Sequence, residues 1–344
     1  MLIYKNYQNK VLEAVDNFLT VLKQYREPDM AWLKYFKQND DVEKTGIEKI
    51  ESNYPSYKNY AKSPKTPFLC FKVPTGGGKT ILAVETIKKS FNQLLGKNEG
   101  LVVWLVPTEA IYSQTLEKLK NPNDSHRQVL MANFEQINVF SREEALRNFK
   151  PQHCQNGNLS IILSIDKGFT NGEKVFDGNI DGFEQFNDLL EQNSNLLITN
   201  TSVENKDQPV GKNSLFNIIR LHNPIIIIDE GHLFKSQLIQ STIGDFNPSL
   251  IWEFTATPET GLSNILHRTS PLELKEEEMI KLPIQIRHET TWQDVISSSI
   301  KLQQELEQKG FKILALVVDG RIGIKDIFKD IPIQMCQFHQ IQII

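Results

Sequence analysis

An α/β fold, a mainly parallel sheet flanked by helices, is predicted for this chain of 344 residues by three observations. Short apolar runs that stay uncharged until their ends recur along the sequence, helical patterns alternate with them, and a glycine-rich turn joins one such run to one such helix. The runs are FLCFKVP (68–74), LVVWLVP (101–107), NLLITNT (195–201) and PIIIIDE (224–230), and SLIWEFTATP (249–258) adds a further strand. Their β-branched and aromatic content suits strands buried on both faces. Helices are expected from Lys79 to about Gln93, Glu109 to about Leu119, Phe183 to Gln192 and Ser214 to Leu221. Ahead of them, residues 7–24 set Val11, Leu12, Val15, Phe18, Leu19 and Leu22 at three- and four-residue spacings, the pattern of an amphipathic helix. A polar stretch from about Lys37 to Lys65 reads as an inserted surface excursion. Residues 121–193 mix a candidate strand, LSIILSI (159–165), with many Asn, Gln and Gly.

Composition narrows the classes of function. With 38 basic against 42 acidic residues and a net charge of -4, no sequence-wide basic field advertises nucleic acid, so contacts with DNA or RNA must be local. Cys70, Cys154 and Cys336 are odd in number and far apart, which argues against a disulfide framework and for a reducing, cytoplasmic setting. No run of about 18 apolar residues is present, so no membrane is expected as a partner. Trp104 and Trp252 sit in apolar runs and read as core, and Cys70 reads as a small buried hydrophobe.

The chemistry is concentrated at strand ends. In VPTGGGKT (73–80), Thr75, Gly76, Gly77 and Gly78 permit a tight turn whose N–H groups form an anion-binding nest at a helix start. Lys79 would reach the β- and γ-phosphates of a nucleotide, and the Thr80 hydroxyl would help to hold Mg²⁺. The strict G-x-x-x-x-G-K-[ST] template asks for glycine at position 73, where this chain has Val73. The run IIIIDEGH (225–232) brings Asp229 and Glu230 to the carboxyl edge of the sheet on a strand expected beside that of the phosphate loop. There Asp229 can take Mg²⁺ through a water, and Glu230 can orient or deprotonate an attacking water. His232 reads as a coupling residue rather than a metal ligand, because no ligand partner has suitable spacing. In FTATP (254–258), Thr255 and Thr257 can hydrogen-bond the acidic turn.

Taken together these residues resemble the first RecA-like domain of superfamily 2 helicases and translocases, a P-loop NTPase. There the phosphate loop reads A-x-x-G-x-G-K-T, which removes the weight of the mismatch at Val73; DEGH is similar to motif II and TAT to motif III. VPTEAIYSQT (106–115) resembles motif Ia, which implies that Pro107, Thr108 and Gln114 grip nucleic-acid phosphates. Tyr7 and Gln8 resemble the Gln motif that reads adenine. Within the superfamily the nearest resemblance is to the Res subunit of type III restriction enzymes, extended by SPLELKEEEMIKLPIQI (270–286). The resemblance implies ATP and Mg²⁺ as cofactors, duplex DNA held by its phosphates, and a modification (methyltransferase) subunit as a partner. It places the ATP-binding domain at 1–270 and a linker toward a second RecA-like domain at 271–308.

The remainder is too short for that second domain and a nuclease, and no Q-x-x-G-R-x-x-R pattern supplies arginine fingers, worth roughly 10³ to 10⁵ in rate. The expectation is a truncated motor whose turnover is impaired. From about Lys309 the tail resembles the middle of an insertion-sequence DDE transposase, with Asp319 ending the strand ILALVVD, and Cys336 and His339 following as C-x-x-H. The other open reading makes ILALVVD the first strand of the second RecA-like domain. Besides a motor, the alternatives are an inactive nucleotide- or DNA-binding remnant of a gene interrupted by a mobile element, and a metabolic P-loop NTPase. The order of the motifs speaks against the last.

Overall fold

The computed structural model describes residues 3–38, 54–165, 180–203, 206–231, 237–259, 261–279, 291–308, 316–318, 327 and 333–335. The chain divides into two compact units, Met1–Lys281 and Leu282–Ile344.

In the first unit the strands are β1 (Phe68–Lys72), β2 (Gly100–Val106), β3 (Gln136–Ser141), β4 (Asn158–Ile165), β5 (Asn200–Val203), β6 (Lys206–Pro209), β7 (Ile225–Asp229), β8 (Leu250–Thr255) and β9 (Ile265–Arg268). Seven of them build one sheet in the order β3-β4-β2-β7-β8-β1-β9, with every pairing parallel. The expected α/β layering, a parallel sheet flanked by helices, is therefore present. Because all seven strands point the same way, their carboxyl ends share one edge, the edge at which open α/β sheets bind ligands.

Alternation along each strand explains the uninterrupted apolar runs. Phe71, Trp104, Ile225, Ile227, Trp252 and Phe254 face one layer, while Phe68, Val103, Ile226, Ile228 and Ile251 face the other. Both faces are covered, so no position in a central strand calls for a polar residue. Phe71 stacks on Trp252 and on Phe254 with centroid separations of 5.4 Å, and both Trp104 and Trp252 are wholly buried, as expected of core residues.

The helices that frame the site are α1 (Asn6–Tyr25), α2 (Pro28–Gln38), α3 (Lys79–Lys89), α4 (Glu109–Lys120), α5 (Leu215–Leu221) and α6 (Pro271–Glu276). All six apolar positions picked out on α1 are buried. Ser214 caps α5 by accepting from Asn217 N, which fixes the predicted start. The helix after the phosphate loop stops at Lys89 and continues as a π-helical turn, Ser90–Leu95. The segment expected to be helical from Phe183 is a 3-10 turn, Glu184–Phe186, followed by one short helix, Asn187–Gln192.

Three expectations need correction. NLLITNT is not a strand of the parallel sheet: Ser194–Leu196 is a 3-10 turn, and β5 pairs antiparallel with β6 in a separate hairpin. Its apolar stretch is three residues bounded by Asn and Thr, too little to cover both faces, and Leu196 is exposed. LSIILSI takes an interior place instead, as β4, with Ser160 and Ser164 small enough to be buried. Of the polar stretch at 37–65, residues 39–53 lie outside the described residues, and residues 54–65 are tied to the rest of the unit. Trp32 Nε1 donates to Pro55 O, Phe68 N donates to the Tyr57 hydroxyl at 2.8 Å, Ser63 Oγ donates to Gly244 O at 2.8 Å, and the Tyr60 ring is buried against Phe68. The strands β1 and β7 are not neighbours, because β8 lies between them. Edge strands β3 and β9 carry no long apolar run, since an edge has only one partner to satisfy and tolerates polar residues.

The second unit contains a helix, α7 (Trp292–Gln308), and a parallel pair, β10 (Leu316–Val318) with β11 (Ile333–Met335). Both readings of the tail ask for a strand at 316–318. Asp319, Cys336 and His339 lie outside the described residues, as does His232. Among the described residues no helix is long and apolar enough to cross a membrane.

Candidate active site

β1 delivers the chain to the glycine loop at the carboxyl edge. Val73 N donates to Thr255 O at 3.0 Å, and the Val73 side chain is fully buried. Gly76 and Gly78 have φ of +84° and +74°, the left-handed region in which a side chain is strained. Gly77 is required by space: a Cβ there would lie 2.6 Å from Val73 Cγ1 and 3.3 Å from Leu274 Cδ2. The bulk that departs from the glycine template at Val73 is thus accommodated by the missing side chain at Gly77. Lys79 and Thr80 open α3, whose first N–H groups have no partner within the helix and are available to an anion. Thr75 is exposed on the loop.

The start of α1 holds this loop from outside. The Tyr7 hydroxyl donates to Gly77 O at 3.0 Å, and Gln8 Nε2 lies 2.7 Å from the place a Cβ on Gly78 would take. Gln8 is buried and its Oε1 accepts from Lys5 N at 3.0 Å. The Gln8 amide is therefore fixed against the loop.

Across β8 from this loop, β7 delivers Asp229 and Glu230. Lys79 Nζ lies 2.6 Å from Glu230 Oε1, with both side chains largely shielded. Glu230 has φ of +54°, its N–H donates to Phe254 O at 2.8 Å, and its Oε2 accepts from Thr255 Oγ1 at 3.2 Å and Ala256 N at 3.3 Å. Thr255 Oγ1 in turn accepts from Thr257 N at 3.1 Å. The TAT segment meets the acidic turn through the Thr255 hydroxyl and Ala256 N, while the hydrogen bond of Thr257 N goes to Thr255 rather than to the turn. Thr255→Val keeps the shape and removes the donor; the expected loss is about 1.5 to 3 kcal/mol in a urea unfolding curve, the range for a hydrogen bond to a charged group.

Asp229 is 6% exposed, and its Oδ1 has no hydrogen-bond partner among the described residues. Burial pushes its carboxyl up to about 6, with Lys79 opposing and Glu230 adding to the rise. A buried carboxylate oxygen with unmet lone pairs is costly, and a hard divalent cation on oxygen ligands is the group that offsets the cost. With Thr80 at the start of α3, Asp229 fits Mg²⁺. Among the described residues no group of three or more His, Cys, Asp and Glu side chains is gathered for a protein-only metal cage.

Pro107 and Thr108 follow β2, next to β7 on the same edge. Thr108 caps α4 by accepting from Ile111 N at 3.4 Å, and Gln114 lies one turn into that helix. Thr108 and Gln114 are exposed and Pro107 is half-buried, so this surface is accessible from solvent.

Residues 3–260 match the family described as type III restriction enzyme, Res subunit. The chain belongs to this family. The match contains the phosphate loop, the acidic turn and the TAT segment. No curated protein matches the chain. Among solved structures, a nuclease-deletion mutant of the Type ISP restriction-modification enzyme LlaGI, in complex with a DNA substrate mimic, is 13% identical at a TM-score of 0.38, covering 95% of this chain and 24% of that one. The UvsW helicase from bacteriophage T4 is 13% identical at a TM-score of 0.30, covering 68% of this chain and 67% of that one. The chain spans about a quarter of the length of the LlaGI protein.

Two parts of this Res-family site go beyond the roles the motifs assign. Helix α6 lies against the phosphate loop through Leu274, while Glu273 Oε1 accepts from Lys10 Nζ at 2.9 Å and Glu277 Oε1 accepts from Asn6 N at 3.1 Å. The Ser270–Glu273 capping box marked this helix in the sequence. The second is Glu253, a buried acid in the middle of β8, visible beforehand only as one charge in the run LIWEFT.

Proposed function

We propose that this Res-family domain binds ATP with Mg²⁺ and serves as the ATP-hydrolysing half of a motor that moves on duplex DNA. The observation that carries the reading is the meeting of three strand ends: Lys79 after β1 and Glu230 after β7 are 2.6 Å apart, and Thr255 of the intervening β8 binds the same Glu230 carboxylate. The loop N–H groups and the start of α3 would receive the phosphates, and Gln8 would face the adenine. Lys79 would leave Glu230 for the β- and γ-phosphates, releasing that carboxylate to orient the attacking water. Thr80 and Asp229 would hold Mg²⁺, which supplies charge neutralisation of the phosphate oxygens.

Pro107, Thr108 and Gln114 would contact DNA phosphates, which position a duplex without reading its sequence. The rest of the motor, including arginine donors and any modification subunit, belongs to the whole protein that this family implies. The test is ATP hydrolysis by the purified chain with and without duplex DNA, beside Lys79→Ala. Slow turnover, stimulated by DNA and lost in the variant, is expected. Hydrolysis indifferent to DNA would remove the motor reading, and tight ATP binding without turnover would assign the chain to binding alone.

A further inference from the structure

Three consecutive residues of β8 meet the turn that carries Asp229 and Glu230. Thr255 donates to the Glu230 carboxylate, Phe254 O accepts from Glu230 N, and Glu253 lies beneath Gly231. A Cβ on Gly231 would fall 2.2 Å from Glu253 Oε1 and 2.6 Å from its Cδ and Cγ, so the glycine is there because the carboxyl is. Glu253 is 3% exposed in a strand whose other members are apolar or threonine. Burial raises its carboxyl above the ordinary glutamate range; hydrogen bonds from the Ser263 hydroxyl and the Cys70 thiol oppose this, and the charges of Glu259 and Glu230 add to it. Its Oε2 has no partner among the described residues, and the side chain borders a cavity of about 60 Å³ shared with Tyr60, Ile228 and Gln240. A polar group in such a place is expensive to keep and is replaceable by an apolar one unless its shape or polarity is used.

Glu230 sits at φ +54°, a conformation that a residue with a side chain holds only when its surroundings over-determine it. Thr255 and Phe254 fix Glu230 itself. The residue after it is fixed from below by Glu253.

We propose that Glu253 is a positioning residue for the Mg²⁺–ATP centre: its carboxyl, wedged under Gly231, sets the turn that aims Asp229 and Glu230. This rests on the reading of that centre as an ATP site. Mg²⁺ demands near-ideal octahedral geometry, so a small displacement of Asp229 costs metal-dependent affinity. The phosphate loop has supports outside the turn, in Tyr7 and Gln8, so its grip on the phosphates is expected to survive a small shift of the turn.

The test is equilibrium binding of ATP in Mg²⁺ and in EDTA to the full chain, in the wild type, Glu253→Ala, Glu253→Gln, Gly231→Ala and the Glu253→Ala/Gly231→Ala double variant. Glu253→Ala is expected to lose about fivefold or more of the affinity gained from Mg²⁺, the scale of releasing a strained turn, with affinity in EDTA unchanged. Glu253→Gln restores the gain, because the amide keeps the shape. Gly231→Ala loses the gain in the wild type and loses less of it where Glu253 is already alanine, a coupling between neighbours that a double-mutant cycle reads directly. An unimpaired Mg²⁺ gain in Glu253→Ala, additive losses in the double variant, or equal losses in Mg²⁺ and EDTA would each overturn the proposal. Should Glu253→Ala fail to fold, Glu253→Gln and Gly231→Ala still decide: the proposal requires the first to keep the gain and the second to lose it. If the wild type and Lys79→Ala bind ATP equally, it is the ATP site itself that fails.

Discussion

Lys79→Ala is expected to remove about two thirds or more of the thermal stabilisation of this protein by MgATP. In the wild type, ATP at about 100 times its dissociation constant adds about 2.7 kcal/mol to the folded state. Removing Lys79 takes away a side-chain cation placed to meet the phosphates, and truncating a shielded charge partner of this kind costs about 2 to 5 kcal/mol of binding. At the same ATP concentration the stabilisation then falls to about 0.9 kcal/mol at the lower figure and to nearly nothing at the upper. The variant also takes the Lys79 ammonium from the largely shielded Glu230 carboxylate, so its melting temperature without ATP should be lower than that of the wild type. A differential scanning experiment with and without MgATP reads both effects at once. A full shift in Lys79→Ala would show that ATP binds elsewhere.

Asp229→Asn should act in opposite directions on stability and on metal binding. The folded state holds the Asp229 proton up to about pH 6, against an ordinary value of 3.8. Below that lower value the side chain is neutral whether folded or not, and contributes no penalty. As pH rises from about 4 through 6 the unfolded chain releases its proton first, so wild-type stability falls, by about 3 kcal/mol once both states are ionised. Asparagine does not titrate. Urea unfolding without Mg²⁺ should therefore find Asp229→Asn more stable than wild type at pH 7 to 8, with the difference vanishing near pH 4. The same variant should lose the Mg²⁺ gain in ATP affinity. A wild type and variant with parallel stability curves across this range would contradict the account of a carboxylate kept in the site at a cost to the fold.

Much of this architecture is legible in the sequence because central strands of a parallel sheet are buried twice over. Apart from Glu253 and the polar residues at their ends, FLCFK, LVVWLV, IIIID and LIWEFT are apolar throughout, and each announces itself. The acidic turn and the glycine loop are legible for the same reason: they interrupt those runs at the edge where chemistry is done. NLLITNT reads as a strand yet stays out of the parallel sheet, because three apolar residues in a row suit an exposed turn as well as a short strand. The edge strands β3 and β9 escaped because one free side relaxes the demand for apolar residues. The place of β8 between the loop strand and the acidic strand is a matter of sheet order, which no local pattern encodes. Neither α6 against Gly77 nor Glu253 beneath Gly231 is encoded in any motif; each is a contact between segments distant in sequence, and each explains a glycine that a motif only records.

The central claim is that the glycine loop, the acidic turn and the TAT strand end form one Mg²⁺–ATP site. Calorimetric titration of the full chain with ATP, in Mg²⁺ and in EDTA, beside Lys79→Ala, tests it most directly. One ATP per chain, bound more tightly with Mg²⁺ and lost in the variant, is the predicted result. Binding that ignores both the metal and Lys79 would contradict it.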